Sequence, residues 1–335
     1  MSIINLPFAG LELGFAVSLA CSLLLVMTTR WHGRYSLDAT QGVQKFHITP
    51  TPRIGGAAIM LGLWLALGVM PGDQQELLLP VLVAAMPAFV FGLAEDLTRN
   101  VSVRARLLAT MASGTVLIGM AALGLIAQDA GDATLAELCF VVCAVTAGFF
   151  VINFPFGKLF LGDGGAYLLG FLLAWLSVML VYRNPLVSPW APLLACGYPI
   201  FETVFTIVRR LWCRRHPGHP DSWHLHSLVK TAIVARFLRP LPAPLRNACV
   251  SPLSWAVALV PALTAVRFAA VPEALLQGVL ASFLLYLSVY AFVVSAWWAR
   301  RRRMQRPAGH AVPVAAPLGD MALEQSNSSF IQRGL

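Results

Sequence analysis

The run Leu135–Phe154, LAELCFVVCAVTAGFFVINF, leads into Pro155–Gly165, PFGKLFLGDGG, and then into Ala166–Tyr182, AYLLGFLLAWLSVMLVY. Two apolar runs flank a short polar turn, and the fold class follows from that pattern. A helix needs about 20 apolar residues, or about 17 at the short end, to cross the hydrocarbon core of a bilayer. Seven further segments read the same way: Phe8–Met27, Gly55–Met70 (the shortest), Leu77–Ala94, Leu107–Ile126, Ala191–Val208, Cys249–Ala270 and Leu275–Trp298. Hydrophobic residues make up 58% of the 335 residues and charged residues 12%, with a mean hydropathy of +0.73. Such a composition excludes an ordinary soluble domain.

Charge placement gives the sidedness. No basic residue precedes Phe8–Met27, so this segment reads as a retained anchor rather than a cleaved signal. Arg30 and Arg34 follow it, which puts the N-terminus outside. Alternating nine spans from that start leaves 22 of the 24 Lys and Arg residues inside, with Arg183 and Arg267 outside. The expectation is an all-α, polytopic integral membrane helical bundle of about nine transmembrane helices, N-terminus outside and C-terminus cytoplasmic. It covers residues 1–303; residues 304–335, rich in Pro, Ala, Ser and Gln, read as a disordered cytoplasmic tail. The formal charge of +9 belongs to the inner face, with Arg300 to Arg303 on membrane lipids, and not to nucleic-acid binding. The six cysteines show no metal or disulfide spacing.

Polar chemistry concentrates in the inner loops. Asp163 sits among Gly157, Gly162, Gly164 and Gly165, close to Lys158. Glycine lets backbone amides approach an anion closely, and a carboxylate beside them suggests a bound cation. The expectation there is a metal-bridged phosphate. Lys45, His47 and Arg53 lie in a proline-stiffened loop that runs into Gly55-Gly56; each alone is compatible with ordinary positive-inside placement. Glu95 and Asp96 adjoin at the end of a span. Two acids at the negative end of a helix are locally unfavourable, which favours a metal or substrate role for Asp96. Glu202 lies about 10 Å inside the span before Arg209, where a carboxylate is costly and needs a partner such as Arg209 or a backbone amide. His224 and His226 form an H-x-H pair, a weak signal alone.

Taken in order, PTPRIGG, GLAEDLTRNVSVRARL, NFPFGKLFLGDGGAYLLGF, FETVFTIVRR and HPDSWHLHSL resemble successive motifs of the polyprenyl-phosphate N-acetylhexosamine-1-phosphate transferases, over roughly Lys45 to Trp298. The resemblance implies an integral enzyme of the bacterial inner membrane with its active face in the cytoplasm. It implies Mg²⁺-dependent transfer of a sugar-1-phosphate from a UDP-N-acetylhexosamine to undecaprenyl phosphate, with release of UMP, as the first step of a surface glycan. By position, Glu95, Asp96 and Asp163 would be catalytic, with Asp163 and Asp96 on the metal. Lys45, Arg53, Asn153, Lys158, His224 and His226 would contact substrate. Expected partners are undecaprenyl phosphate, the UDP-sugar, membrane lipids and, in a homodimer, a second copy of the chain.

Three departures stand in the sequence. Glu95-Asp96 replaces the family's Asp-Asp pair, and Ser227 stands where a third histidine is usual. The family's N-x-x-D-G-x-x-G loop is not found between Asp96 and Asp163, and Asp129, Asp132 and Glu137 fall on the outer face. The alternative reading is a catalytically impaired paralogue that binds polyprenyl phosphate or nucleotide sugar, or scaffolds glycan assembly. A transporter is disfavoured, since there is no internal repeat and Glu202 is the sole acid deep within a span.

Overall fold

A computed structural model of the chain describes residues 8–37, 51–98, 103–214, 223–234, 238 and 240–305. Lys45, His47 and the expected tail from residue 306 onward lie outside the described residues. Among the described residues the regular secondary structure is helical apart from one isolated bridge, Leu37 to Pro52.

The helices run α1 Phe8–Met27, α2 Thr29–Ser36, α3 Gly55–Leu67, α4 Gly72–Thr98, α5 Val103–Asp129, α6 Ala133–Asn153 and α7 Gly162–Arg183. After these come α8 Trp190–Ala195, α9 Gly197–Trp212 and α10 Leu225–Val229, the last continuing as a π turn over Lys230–Val234. The chain closes with α11 Ala243–Ala248, α12 Ser251–Arg267 and α13 Pro272–Gln305. Residues 1–297 form one compact unit and residues 298–335 a second, whose described part is the end of α13.

Among the described residues six helical stretches are long and apolar enough to cross a membrane: Ala9–Met27, Gly72–Thr98, Ala133–Asn153, Gly162–Arg183, Leu245–Arg267 and Pro272–Ala299. The other three expected spans are helical but differ in form. α3 has 13 residues and so reaches only about 20 Å at 1.5 Å per residue. Within α5 the described apolar stretch is Gly114–Asp129. Ala191–Val208 is interrupted at Cys196, between α8 and α9. The cause is local: Pro199 has no N–H to donate to Ala195, and its ring clashes with that residue's carbonyl.

α6 is central, packed against α1 on one side and α5 on the other, while α4 lies along α7. The α5–α6 turn and the C-terminal end of α7 form a polar latch. Asp132 accepts from Leu135 N–H at 3.2 Å, which caps α6, and takes Nε and Nη2 of Arg183 at 2.6 and 2.8 Å. Thr134 donates to Asp73 at 2.9 Å, and Gln74 hydrogen-bonds Glu137. Asp132 and Glu137 therefore serve helix joining at the end of the bundle opposite the Asp163 loop.

Candidate active site

The Asp163 loop is held by the segment before α3. Phe160 N–H donates to the Pro52 carbonyl at 2.8 Å, and Gly55 and Gly56 N–H donate to Phe160 and Leu161 at 2.9 Å each. On the other side Asn153, buried at the end of α6, donates Nδ2–H to the Leu159 carbonyl at 2.7 Å and accepts Gly157 N–H on its own carbonyl at 2.6 Å. The loop contains the cis bond Phe154–Pro155. Lys158 is exposed, its ammonium 5.6 Å from the Phe156 ring centroid.

Where the loop enters α7, three helix ends converge. Arg53 is fully buried and donates Nε–H to the Asp96 carbonyl at 2.7 Å and Nη2–H to the Glu95 carbonyl at 3.4 Å. A cation thus covers the negative C-terminal end of α4. The buried Asp96 carboxylate points the other way, accepting Gly164 N–H at 3.1 Å and also the Asp163 amide. It caps the N-terminus of α7 from another helix, supplying the acceptor that the first helical amides lack. Asp163 is buried beside it, near enough for the two carboxylates to repel.

Two glycines of the expected cradle, Gly162 and Gly164, together with Gly56 and Gly92, serve close packing. A Cβ on Gly92 would stand 2.6 Å from the Gly164 Cα, and one on Gly164 would stand 2.9 Å from the Leu93 nitrogen. A Cβ on Gly56 would meet Gly165 backbone, and one on Gly162 (φ +74°) would meet the Arg53 carbonyl and the Asp96 carboxylate. The space beside these glycines is filled by protein backbone. They let the start of α7 enter between α3 and α4.

Glu95 is half-buried, with Tyr167 donating its hydroxyl to Oε2 at 3.5 Å. Among the described residues, no group of three or more His, Cys, Asp or Glu side chains could hold a metal. Mg²⁺ asks for less: one or two carboxylates, with water and substrate phosphates completing its shell. Asp163 and Asp96 fit that smaller requirement.

A second cluster surrounds Glu202 on α9. His224 Nδ1 lies 3.0 Å from Oε1, Leu225 N–H donates to Oε1 at 3.4 Å, and the Tyr286 hydroxyl donates to Oε2 at 2.9 Å. The carboxylate that costs so much at depth is thus matched by three donors, with no need of Arg209. His224 and His226 stack with ring centroids 5.5 Å apart, and Arg210 Nη2 lies 3.5 Å from His224 Nε2. Burial pushes the His226 imidazole down to about 4 and the Lys230 ammonium down to about 7, the latter helped by Arg246. Tyr290 donates to the Trp223 carbonyl at 3.0 Å, and Trp223 packs on Trp297 at 5.3 Å between centroids. Tyr286 and Tyr290 escaped sequence reasoning. Their signal is the spacing of Phe283, Tyr286, Tyr290 and Trp297, a helical aromatic stripe that carries two hydroxyls.

Residues 110–181 match the model of glycosyl transferase family 4. The chain is 35% identical over 117 residues to a probable undecaprenyl-phosphate N-acetylglucosaminyl 1-phosphate transferase of Bacillus subtilis, a match covering 35% of this chain and 33% of that protein. It is 32% identical over 124 residues to an undecaprenyl-phosphate alpha-N-acetylglucosaminyl 1-phosphate transferase of Salmonella typhi, and 29% identical over 124 residues to that of Escherichia coli K12. Each of these two matches covers 36% of this chain and 34% of the relative. The chain thus spans about a third of the length of the relatives it matches.

Proposed function

We propose that this chain, which is similar to glycosyl transferase family 4 over residues 110–181, transfers an N-acetylhexosamine-1-phosphate from a UDP-sugar to undecaprenyl phosphate and releases UMP, the first step of a cell-surface glycan. The observation that carries this reading is the Asp163 loop. It places a buried carboxylate at the N-terminus of α7, beside Asp96 and Arg53, inside the segment that matches the family. A lipid phosphate oxygen attacks the sugar-linked phosphorus of the donor, and the bond to the UMP phosphate breaks. Negative charge spreads over the phosphate oxygens during that exchange, and fixed positive groups lower its cost.

Asp163, with Asp96, is the site for Mg²⁺, which when bound would neutralise diphosphate charge. Glu95, at the rim with Tyr167, faces the acceptor side. Lys45 and Lys158 supply cations for phosphate, as does Arg210 of the second cluster, with His224 and His226 beside it as neutral polar contacts. Arg53 acts from inside, by holding the end of α4. Nine membrane crossings, with the N-terminus outside and the site in the cytoplasm of a bacterial inner-membrane protein, agree with the placement of 22 of 24 basic residues on one side.

One observation favours the second reading, a binding or scaffolding paralogue: Asp96 is already engaged by the amides of α7. The test is direct. Purified full-length protein with Mg²⁺, undecaprenyl phosphate and UDP-N-acetylglucosamine or UDP-N-acetylgalactosamine is expected to release UMP, and Asp163→Asn to abolish release. Absence of UMP with either donor, with undecaprenyl phosphate still bound, refutes turnover and supports the paralogue.

A further inference from the structure

The Glu202 cluster carries more information than its histidine pair. An ionised carboxylate is an acceptor only, so the 3.0 Å contact from His224 Nδ1 to Oε1 requires the proton on Nδ1. The Leu225 amide fixes Oε1 from the backbone, and the Tyr286 hydroxyl fixes Oε2 from α13. Both carboxylate oxygens are therefore held, and the imidazole hangs from them at a set angle. Its other nitrogen, Nε2, carries the lone pair and has the Arg210 guanidinium 3.5 Å away. A guanidinium that meets a fixed acceptor loses much of its rotamer freedom before any ligand arrives. Glu202, His224 and Tyr286 are all buried, whereas Arg210 is half-buried, so the order runs from the packed interior outward.

We propose that Glu202, clamped by Tyr286, is a positioning residue: it fixes the Nδ1–H tautomer of His224, and His224 in turn aims Arg210 at a phosphate group of the nucleotide. This rests on the phosphotransferase reading above and names the device that orders one side of its donor site. Glu202 touches no substrate in this scheme. Its effect passes through His224 to Arg210, as outer partners of ligand-binding histidines commonly act.

The test separates the device from turnover. The full-length protein in detergent is labelled with ¹⁵N-histidine, and the His224 signal is identified by its loss in His224→Gln. Wild type is expected to show the Nδ1–H form, and Glu202→Leu to lose that preference. The binding probe is UDP alone, measured by calorimetry. Glu202→Leu and Tyr286→Phe are each expected to weaken UDP binding, the first by about tenfold, while Glu202→Asp restores part of it. An Nε2–H tautomer in wild type overturns the proposal. So does UDP affinity that is unchanged in folded Glu202→Leu, or a wild type that does not bind UDP. Should UMP release fail with every donor while tautomer and UDP affinity behave as expected, the positioning role stands and only the catalytic reading falls.

Discussion

Gly162 has a φ of +74° at the first position of α7, and a side chain there would run into the Arg53 carbonyl and the carboxylate of Asp96, whose Cγ is 2.8 Å from the added Cβ. Gly162→Ala therefore brings three costs. The left-handed backbone costs a residue with a Cβ about 1 kcal/mol. Pushing Asp96 off the α7 amides removes a cap worth about 1 kcal/mol. Crowding the Arg53 carbonyl, which cannot swing aside as a flexible side chain could, adds about 1–3 kcal/mol. The sum is about 3–5 kcal/mol, a large share of the roughly 5–15 kcal/mol that holds most folds together. At about 2 °C per kcal/mol for a chain of this size, the melting midpoint should fall by about 6–10 °C. The assay is thermal unfolding of the purified protein in detergent, with Gly170→Ala as the control. Gly170 lies on the same helix with nothing within 4 Å of a built Cβ, so alanine there should match wild type or exceed it. A Gly162→Ala midpoint within 2 °C of wild type would refute the reasoning, because backbone path and cap would then both be wrong.

Two further outcomes are expected from other parts of the molecule. Arg183→Met leaves the carboxylate of Asp132 without its two-pronged partner and should cost about 1–3 kcal/mol; adding Asp132→Asn should recover part of that loss, read as melting midpoints. Burial lowers the His226 imidazole from its ordinary 6.5 to about 4, so on acidification the unfolded chain takes up a proton that the folded chain does not. Stability from this group is complete above pH 6.5 and declines towards pH 4 by up to about 3 kcal/mol. His226→Gln should flatten that part of the stability–pH curve, and an unchanged slope would count against burial as the cause.

The helices were legible because hydropathy is a local property. Each of the nine apolar segments carries helix, and the polar turn around Asp163 falls between two of them, where α7 begins. What could not be read is what depends on residues far apart in sequence. Asp96 looked misplaced at the end of its own helix, yet its carboxylate answers the amide of Gly164, 68 positions later. Arg53 looked like a phosphate ligand, yet it serves carbonyls more than 40 positions away. Four of the glycines look identical under either use, cradling an anion or admitting a neighbouring helix, because composition does not say what fills the missing side chain's place. The break at Cys196 was visible in the spacing of Gly197 and Pro199, and the apolar run masked it. Glu202 was correctly marked as needing a partner, although Tyr286, 84 positions on, could not be named from sequence.

The cap that Asp96 places on α7 ties one carboxylate to the integrity of the scaffold. A divalent cation that recruited Asp96 would have to draw it away from the Gly164 and Asp163 amides, and its net affinity would fall by whatever those hydrogen bonds are worth. The start of α7, released in part, would then gain freedom as the centre was charged. A centre built in this way would hold a cation loosely and would favour a metal arriving with the nucleotide's phosphates over a permanent resident.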